Sequence, residues 1–295
     1  SKVLPVDKFF RNVLYDKKYG YYNSRIPFGA KGDFITSPKI TSLFSEIIAI
    51  WMIACWETFG KPKDFNIVEL GPGDGSLASI LLKSFKRFPE FNSIKKLFLF
   101  KKINNSFFEK NYTINKNYDI KEIFKKASSQ DIKNIKSYKT FNNLEFIEFP
   151  KFGFEELKKI SKKIVKLKGC ILMIDYGYLK PNNQSTLQSV MKHKKNKLLD
   201  NLGKADVTAH VNFTLLNEFF SRNGLKIKNV ISQKDFLKTM GILERAKNIA
   251  NNMKFTEQSD LYLRIQRLLS PRYMGDLFKV ILAYNFDNDN FAGFK

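Results

Sequence analysis

A short apolar stretch followed at once by a glycine-rich turn constrains the fold of this chain more than any other feature. The sequence Phe65–Leu70 predicts a strand, Gly71-Pro72-Gly73-Asp74-Gly75 predicts a turn, and Ser76–Phe85 carries apolar residues at helical spacing. Each glycine lacks a Cβ, so the backbone can turn sharply off the strand and approach a ligand closely. A strand, glycine turn and helix in this order predict the opening unit of an α/β nucleotide-binding fold.

The spacing of the glycines separates this turn from the dinucleotide-binding fingerprint. That fingerprint is G-x-G-x-x-G, whereas Gly71, Gly73 and Gly75 follow Glu69 as E-x-G-x-G-x-G, and Ser76 stands where the third glycine would be. The shorter form resembles the cofactor loop of S-adenosylmethionine-dependent methyltransferases, whose ligand has no pyrophosphate. We expect the three glycines and Glu69 to contact that cofactor. The alternative is a turn that binds nothing, with Glu69 acting as a charge partner of the following helix.

The basic charge of the chain comes almost wholly from lysine. The formal net charge is +23, and the basic residues are 43 Lys and only 8 Arg, beside 26 Asn and 29 Phe. Because Arg is the residue that best recognises phosphates and bases, this surplus indicates a compositional bias more than nucleic-acid binding. Residues 83–168 nevertheless hold 22 basic and 9 acidic residues, so an RNA methyltransferase stays as an alternative.

Composition also excludes several classes of protein. A chain of 295 residues with 43% hydrophobic residues can bury a core, which excludes wholesale disorder. Cys55 and Cys170 lie far apart, so we expect no disulfide framework, no metal site and a reducing compartment. The most apolar run, residues 47–56, is half of the roughly 20 residues that a spanning helix needs. Residues 1–5 carry no apolar signal core, so we expect a secretory signal to be absent or already removed.

The rest of the sequence predicts one α/β domain with additional helices. We expect residues 1–60 to form an N-terminal helical extension and residues 61–295 the core domain, with a basic insertion at about 101–143. Apolar spacing predicts helices over 6–16, 42–58, 154–165, 213–222, 236–249 and 259–269. Apolar runs predict strands over 97–100, 145–149, 170–175, 225–232 and 278–284, the last of them at a sheet edge.

Five further blocks in the same order resemble the MidA-type methyltransferase family. They are Tyr15-Asp16-x-x-Tyr19-Gly20-Tyr21-Tyr22, Pro27-Phe28-Gly29-Ala30-x-Gly32-Asp33-Phe34-Ile35-Thr36-Ser37-Pro38, Ile174-Asp175-Tyr176-Gly177-Tyr178, Ala205-Asp206-Val207-Thr208-Ala209-His210-Val211-Asn212-Phe213 and Gln233-x-x-Phe236-Leu237-x-x-x-Gly241-Ile242. With the glycine turn they cover about residues 6–245. The resemblance implies a class I methyltransferase fold, which is Rossmann-like with a mostly parallel seven-stranded sheet and a reversed last strand.

The resemblance also implies a function and a set of site residues. A mitochondrial relative dimethylates an arginine of a respiratory complex I subunit and acts in assembly of that complex. The resemblance implies S-adenosyl-L-methionine as cofactor, a protein substrate and no membrane insertion. It also implies a location in the cytoplasm of a bacterium or in the mitochondrial matrix. The candidate cofactor residues are Gly32, Thr36, Glu69, Gly71, Gly73, Asp74 and Gly75. Asp33 is the catalytic candidate. The alternative for Asp33 and Thr36 is a turn or capping role for the helix from Ser42, and the alternative for Asp74 is capping of the helix that follows the turn.

Two features of the family are missing from this sequence. Members usually carry an acid after the second strand, to accept hydrogen bonds from the ribose hydroxyls, but residues 97–100 run into Lys101 and Lys102. An Asn-Glu-Phe-Phe-Asp-Ala-type segment is also missing, as if a block had been removed near Leu99 and Phe100. Either this homologue has lost the block or the sequence omits residues that exist in the molecule. A non-catalytic assembly protein is therefore the second hypothesis.

Other polar residues are weaker candidates for a functional role. Asp175 follows an apolar run at the place where open α/β sheets bind ligands, or it orders the Tyr176-Gly177 turn. We expect His193 and His210 to be structural. An arginine acceptor has a pKa above about 12, so a carboxylate must orient the guanidinium and take its proton. Asp33 is the one candidate that the sequence leaves for that step.

Overall fold

The computed structural model describes most of the chain, in six stretches: residues 2–24, 36–100, 110–114, 120–124, 128–181 and 183–294. Helices in these stretches are α1 (Val6–Tyr15), α2 (Tyr21–Ser24), α3 (Ser37–Ile40), α4 (Ser42–Thr58), α5 (Ser76–Phe85), α6 (Pro89–Ile94), α7 (Ser129–Lys136), α8 (Lys151–Leu167), α9 (Phe213–Arg222), α10 (Gln233–Thr239), α11 (Ile242–Ala250) and α12 (Phe255–Leu269). Strands are β1 (Lys2–Pro5), β2 (Phe65–Leu70), β3 (Lys95–Phe100), β4 (Lys110–Ile114), β5 (Ile120–Phe124), β6 (Cys170–Tyr178), β7 (Gln188–Met191), β8 (Lys194–Asn196), β9 (Asp206–Thr208), β10 (Val211–Asn212), β11 (Lys226–Ile227), β12 (Ile231–Ser232) and β13 (Phe278–Tyr284).

The chain divides into two compact units, each assembled from three separate segments. The first unit comprises Ser1–Ile35, Ile103–Leu167 and Tyr178–Leu225. The second unit comprises Thr36–Lys102, Lys168–Gly177 and Lys226–Lys295. The glycine turn, the strand β2 before it and the helix α5 after it belong to the second unit. The predicted domain boundary at residue 60 stays a prediction.

The second unit contains the antiparallel pair β6–β13. The two strands pair from Tyr176 opposite Phe278 to Cys170 opposite Tyr284, and β11 and β12 pair with β13 as well. The prediction that β13 is an edge strand is therefore wrong. Its last five residues are at most 4% exposed, and a strand so apolar on both faces needs neighbours on all sides.

The sequence segment that opens the second unit forms the predicted strand, turn and helix. Strand β2 runs parallel to β3, from Phe65 opposite Lys95 to Leu70 opposite Phe100. Helix α4 packs against α5 and buries most of its apolar residues, as its nearly continuous apolar sequence predicts. It ends before Gly60, whose φ of 77° makes it the predicted left-handed residue after a helix.

The first unit contains an antiparallel sheet that the sequence did not predict. Its strand order is β1-β4-β5, and β4 and β5 lie in the region expected to be an insertion. Lys and Asn interrupt the apolar alternation of these strands, and alternation is the signal from which a strand is predicted. A second sheet of the first unit joins β7 to β8 and β9.

A buried hydrogen bond in the first unit joins two of the sequence blocks that carry the family resemblance. The Tyr22 hydroxyl donates to the Asp206 carboxylate, at 2.9 and 3.0 Å from its two oxygens. Asp206 is 1% exposed and also accepts from the Val207 amide at 2.9 Å. The ring of Tyr15 stacks on that of Tyr22, with centroids 5.1 Å apart. The blocks around residues 15–22 and 205–213 therefore support the same core.

The strands of the described residues form sheets of three, five, two and three strands, so the seven-stranded sheet implied by the resemblance stays a prediction. The chain is thus a mixed α/β protein, with a parallel pair β2–β3 and a last strand, β13, that runs antiparallel to β6. None of the helices in the described stretches has the length and apolar character needed to cross a membrane.

Candidate functional site

Three glycines in left-handed conformations build the turn between β2 and α5. Their φ angles are 74° at Gly71, 59° at Gly73 and 77° at Gly75. Side chains with a Cβ adopt this region at a cost, so the alternate glycines are a backbone requirement of the turn. The amide of Gly75 donates to the Pro72 carbonyl at 2.8 Å, which closes the turn. Helix α5 then begins at Ser76 with its N-terminus at the turn.

The described residues leave the space beside the glycines open. A Cβ built on any of the three would meet no heavy atom of these residues within 4 Å. The turn therefore offers bare backbone and free volume on its outer side, which is the arrangement needed for a ligand to approach the main chain closely.

Glu69 lies two residues before the first glycine, on β2. Its Oε2 atom is buried and has no hydrogen-bond partner among the described residues. Burial raises the pKa of this carboxyl above its ordinary value, because the charged form loses hydration. A buried oxygen without a partner beside an open turn can accept a hydrogen bond from a ligand.

Asp74 has the opposite environment within the same turn. Its Oδ2 lies 2.8 Å from Lys39 Nζ, and its Oδ1 accepts from the Ser76 amide at 3.2 Å. The lysine and then the serine lower the pKa of Asp74 to about 2. The contact with Ser76 is the capping role considered from the sequence, since it satisfies an amide of the first turn of α5.

Helix α3 stands beside the turn and supplies Lys39. It packs against both α4 and α5, and Thr36 occupies the residue before its first turn. The Thr36 side chain makes no capping hydrogen bond there, so its hydroxyl is not committed to the helix. The sequence reasoning missed Lys39, because an isolated lysine in a chain with 43 of them gives no signal.

The other predicted residues are distributed as follows. Gly32 and Asp33 lie outside the described residues, so the structure does not place the catalytic candidate. His193 lies in the turn between β7 and β8 with a φ of 61°, and the His210 amide donates to Thr186 Oγ1 at 3.0 Å. The roles assigned to these residues from the sequence stay predictions.

Asp175 lies inside a strand and not at the strand end that the sequence predicted. It lies within β6, opposite Lys279 of β13, and its Oδ1 accepts from the Tyr176 amide at 2.8 Å. Burial raises its pKa to about 6. Tyr176 and Gly177 continue the strand, so the expected turn at these residues is wrong; the backbone pairing with β13 extends the strand past the acid.

Comparison with known proteins gives a family match and relatives along most of the chain. A family profile described as "Putative S-adenosyl-L-methionine-dependent methyltransferase" matches two segments, residues 47–102 and 99–231. A Drosophila melanogaster protein named "Protein arginine methyltransferase NDUFAF7 homolog, mitochondrial" is 45% identical over 87 residues, which is 30% of this chain and 20% of that protein. The Xenopus tropicalis protein arginine methyltransferase NDUFAF7 is 25% identical over 350 residues, covering 94% of this chain and 81% of its own length.

A solved structure shares the fold. The crystal structure of a Burkholderia thailandensis protein bound to S-adenosyl-homocysteine superposes with a TM-score of 0.77, covering 99% of this chain and 90% of that protein at 18% identity. The two matched segments of the family profile together span more than half of this chain. The chain therefore belongs to this family of S-adenosyl-L-methionine-dependent methyltransferases.

Proposed function

We propose that this chain binds S-adenosylmethionine at the β2–α5 turn and transfers its methyl group to an arginine of a protein. The observation that carries the proposal is the turn itself, with three left-handed glycines beside open space in a chain of a methyltransferase family. The acceptor comes from the names of the relatives, which are protein arginine methyltransferases.

The described residues fit this cofactor. The bare backbone of the turn accommodates a ligand that packs against the main chain, and the partnerless Glu69 oxygen can accept from a hydroxyl or an ammonium group of it. Thr36 has an uncommitted hydroxyl, and Lys39 holds Asp74 in a fixed position. We assign Gly32, Thr36, Glu69, Gly71, Gly73, Asp74 and Gly75 to cofactor binding on these grounds and on the family resemblance.

Methyl transfer requires alignment of donor and acceptor more than it requires proton chemistry. When bound, S-adenosylmethionine supplies an activated methyl group on a sulfonium. The protein's part is to hold the acceptor nitrogen in line with that methyl group. Because an arginine is fully protonated at neutral pH, a carboxylate must orient its guanidinium and accept a proton as transfer proceeds. We assign this role to Asp33.

The family resemblance supports three further proposals. The acceptor is a subunit of respiratory complex I, and the chain acts in the mitochondrial matrix, as the word mitochondrial in the relatives' names suggests. In the complete fold, β2, β3, β6 and β13 belong to one seven-stranded, mostly parallel sheet. The parallel pair β2–β3 and the antiparallel last strand β13 support this arrangement.

Cofactor binding is tested by titration calorimetry with S-adenosylmethionine on matched glycine variants. Gly73→Ala and Gly60→Ala replace residues that both have positive φ and open space around a new Cβ, so the strain of the two substitutions is similar. We expect Gly73→Ala to lower the affinity at least roughly tenfold and Gly60→Ala to leave it unchanged. Equal affinities in both variants, or no binding to the unsubstituted chain at millimolar ligand, would contradict the proposal.

Catalysis is tested with methyl-labelled S-adenosylmethionine and a matched complex I subunit. We expect label in dimethylarginine with the unsubstituted chain and none with Asp33→Asn, while both bind the cofactor. Binding without transfer would support the second hypothesis, a non-catalytic assembly protein. One observation favours that hypothesis: the family match breaks into two segments that meet at residues 99–102, where the sequence lacks the expected acids.

A further inference from the structure

Helix α3 is too short to fix its own position. It has four residues, Ser37–Ile40, and the Lys39 amide closes its turn by donating to the Thr36 carbonyl at 2.9 Å. A single helical turn is unstable by itself, because forming it fixes several residues for one hydrogen bond. Yet α3 supplies Lys39, whose Nζ lies 2.8 Å from Asp74 Oδ2 in the glycine turn. The position of Lys39 therefore depends on the contacts that other elements make with α3.

The start of α3 is tied to α10 and α12 through a buried amide side chain. The Ser37 hydroxyl donates to Gln233 Oε1 at 3.2 Å, and Gln233 Nε2 donates to the Leu268 carbonyl at 3.0 Å. Gln233 is 0% exposed and Ser37 is 5% exposed, so water does not compete for these bonds. Leu268 lies in the last turn of α12, where carbonyls have no partner within the helix. Gln233 thus satisfies the end of α12 and fixes α3 to it.

The end of α3 is tied to the same helix by a guanidinium group. Arg264 Nη1 donates to the Ile40 carbonyl at 3.0 Å, and Arg264 Nε lies 2.7 Å from Asp260 Oδ2. Ile40 is the last residue of α3, so its carbonyl is one of the groups that a helix end leaves without an internal partner. Asp260 orients the guanidinium, since the two side chains are one turn apart on α12. Helix α12 therefore holds α3 at both ends, directly at Ile40 and through Gln233 at Ser37.

We propose that Gln233 and Arg264 are positioning residues for the cofactor site, which hold α3 so that Lys39 stays against Asp74. They act on the glycine turn through α3, so this role rests on the proposed binding of S-adenosylmethionine there. The alternative is that Gln233 and Arg264 only cap the ends of α12 and α3. That alternative predicts a loss of stability in variants of these residues without a change at the contact between Lys39 and Asp74.

The first test needs no cofactor and follows the ionisation of Asp74. Ser37→Ala removes one tie and leaves the cap of α12 intact, and Arg264→Leu removes the other tie. Carboxyl carbon NMR of the full chain, titrated down to about pH 3.5, reports the charge of Asp74. The contact with Lys39 is the main cause that lowers the pKa of Asp74 to about 2, so the unsubstituted chain should keep Asp74 ionised throughout. In both variants we expect this pKa to rise towards its ordinary value of 3.8, which leaves Asp74 partly protonated.

Matched substitutions on α12 are the controls. Ser259→Ala removes a hydroxyl that donates to the Phe255 carbonyl of the same helix, and Arg267→Leu removes an exposed guanidinium. Both should leave Asp74 ionised down to about pH 3.5. Arg264→Lys is the conservative variant. Its ammonium can still donate to the carbonyl at the end of α3, so it should restore most of the ionisation that Arg264→Leu loses.

The second test measures coupling to the cofactor, by titration calorimetry with S-adenosylmethionine. Ser37→Ala and Arg264→Leu should each lower the affinity at least about threefold, and the loss should be smaller when Lys39→Met is already present. Equal losses in the two backgrounds, or fully ionised Asp74 in both variants of the first test, would overturn the positioning role. An unsubstituted chain that binds no cofactor would instead refute the proposed function, and the titration of Asp74 would still decide the positioning role.

Discussion

At the scale of single residues, the acid before the glycine turn and the acid within it show how surroundings shift a pKa. Glu69 and Asp74 are five residues apart, yet burial raises the pKa of Glu69 while Lys39 lowers that of Asp74 to about 2. Asp74 is therefore ionised at every physiological pH and holds the turn to α3. Glu69 carries an unsatisfied oxygen, and a ligand would relieve the cost of burying it.

Replacing Glu69 by Gln should separate the stability cost of burying this carboxylate from its contribution to cofactor binding. A carboxyl whose pKa is raised by folding costs no stability below its unfolded pKa and its full cost above its folded pKa. Glu69→Gln should thus raise the melting temperature at pH 7.5 and have no effect near pH 4. It should also weaken S-adenosylmethionine binding roughly tenfold, because it removes a charged acceptor. Glu90→Gln, on the protein surface, is the control in both measurements; a lower melting temperature at pH 7.5 in Glu69→Gln would refute the assignment.

Asp175 allows a second test at this scale, with a defined pH window. Its pKa is raised from 3.8 to about 6, so its charge costs stability progressively between about pH 4 and pH 6 and fully above. Asp175→Asn keeps an oxygen that can accept from the Tyr176 amide. The variant should be about 1–2 kcal/mol more stable than the unsubstituted chain at pH 7.5, since partial exposure screens part of the shift.

The measurement for Asp175 is urea unfolding at pH 4, 5, 6 and 7.5. The stability difference should grow through this series and then level off. Asp287→Asn, at a fully exposed position, is the control. A variant that is less stable at pH 7.5 would mean that the charge of Asp175 has a partner that offsets its burial.

At the scale of elements, two threonines five residues apart begin two successive helices in different ways. Thr41 precedes α4, and its hydroxyl accepts from the Leu43 amide at 3.3 Å. Thr36 precedes α3 and makes no such bond. The sequence indicates Thr36 as an alternative cap for the helix that starts at Ser42, but Thr41 is the N-cap residue of that helix. The short helix α3, with Pro38 near its start, lies between the two threonines. Thr36 therefore precedes α3 and not α4.

Alanine substitutions at these two positions should therefore differ in effect. Thr41→Ala should cost about 1 kcal/mol of stability, the usual effect of losing a helix cap. Thr36→Ala should change stability by less than about 0.5 kcal/mol and should lower S-adenosylmethionine affinity if its hydroxyl binds the cofactor. Chemical unfolding measures the stability of both variants, and calorimetry measures their affinity for S-adenosylmethionine. A larger loss of stability in Thr36→Ala than in Thr41→Ala would show that the caps are assigned wrongly.

At the scale of the whole molecule, each compact unit is built from three segments that are distant in sequence. The glycine turn, Thr36, Lys39 and Asp175 all belong to the second unit. Ligand binding stabilises the elements that it contacts in proportion to RT ln(1 + [L]/Kd). Saturation with S-adenosylmethionine should therefore slow hydrogen exchange in the second unit.

The expected pattern is protection of residues around β2 and α5, with little change in β7, β8 and β9 of the first unit. Mass spectrometry of exchanged peptides, at ligand concentrations about 100 times the Kd, would detect a stabilisation of about 2.7 kcal/mol. S-adenosylhomocysteine serves as a second ligand with the same expected pattern. Protection confined to the first unit would place the cofactor away from the glycine turn.

Sequence reasoning was most successful where the signal is local. Helices α4 and α5, strand β2 and the residue Gly60 were predicted within one or two residues, because apolar spacing and positive-φ glycines act over a few residues. It missed β1, β4 and β5, since their Lys and Asn hide the alternation, and it put β13 at an edge. The partner strands of β13 come from residues 170–178, 226–227 and 231–232, and no local pattern in 278–284 indicates them.

The sequence by itself determined the strand–turn–helix unit, the family and hence the cofactor, because each depends on residue types at fixed short spacings. Tertiary structure decided that burial raises the pKa of Glu69, that Lys39 is the partner of Asp74, and that Tyr22 donates to Asp206. It also decided that Val68 and Leu70 of β2 are exposed, although both are apolar. Burial and long-range contacts decide these properties, and both depend on chain segments that only folding brings together.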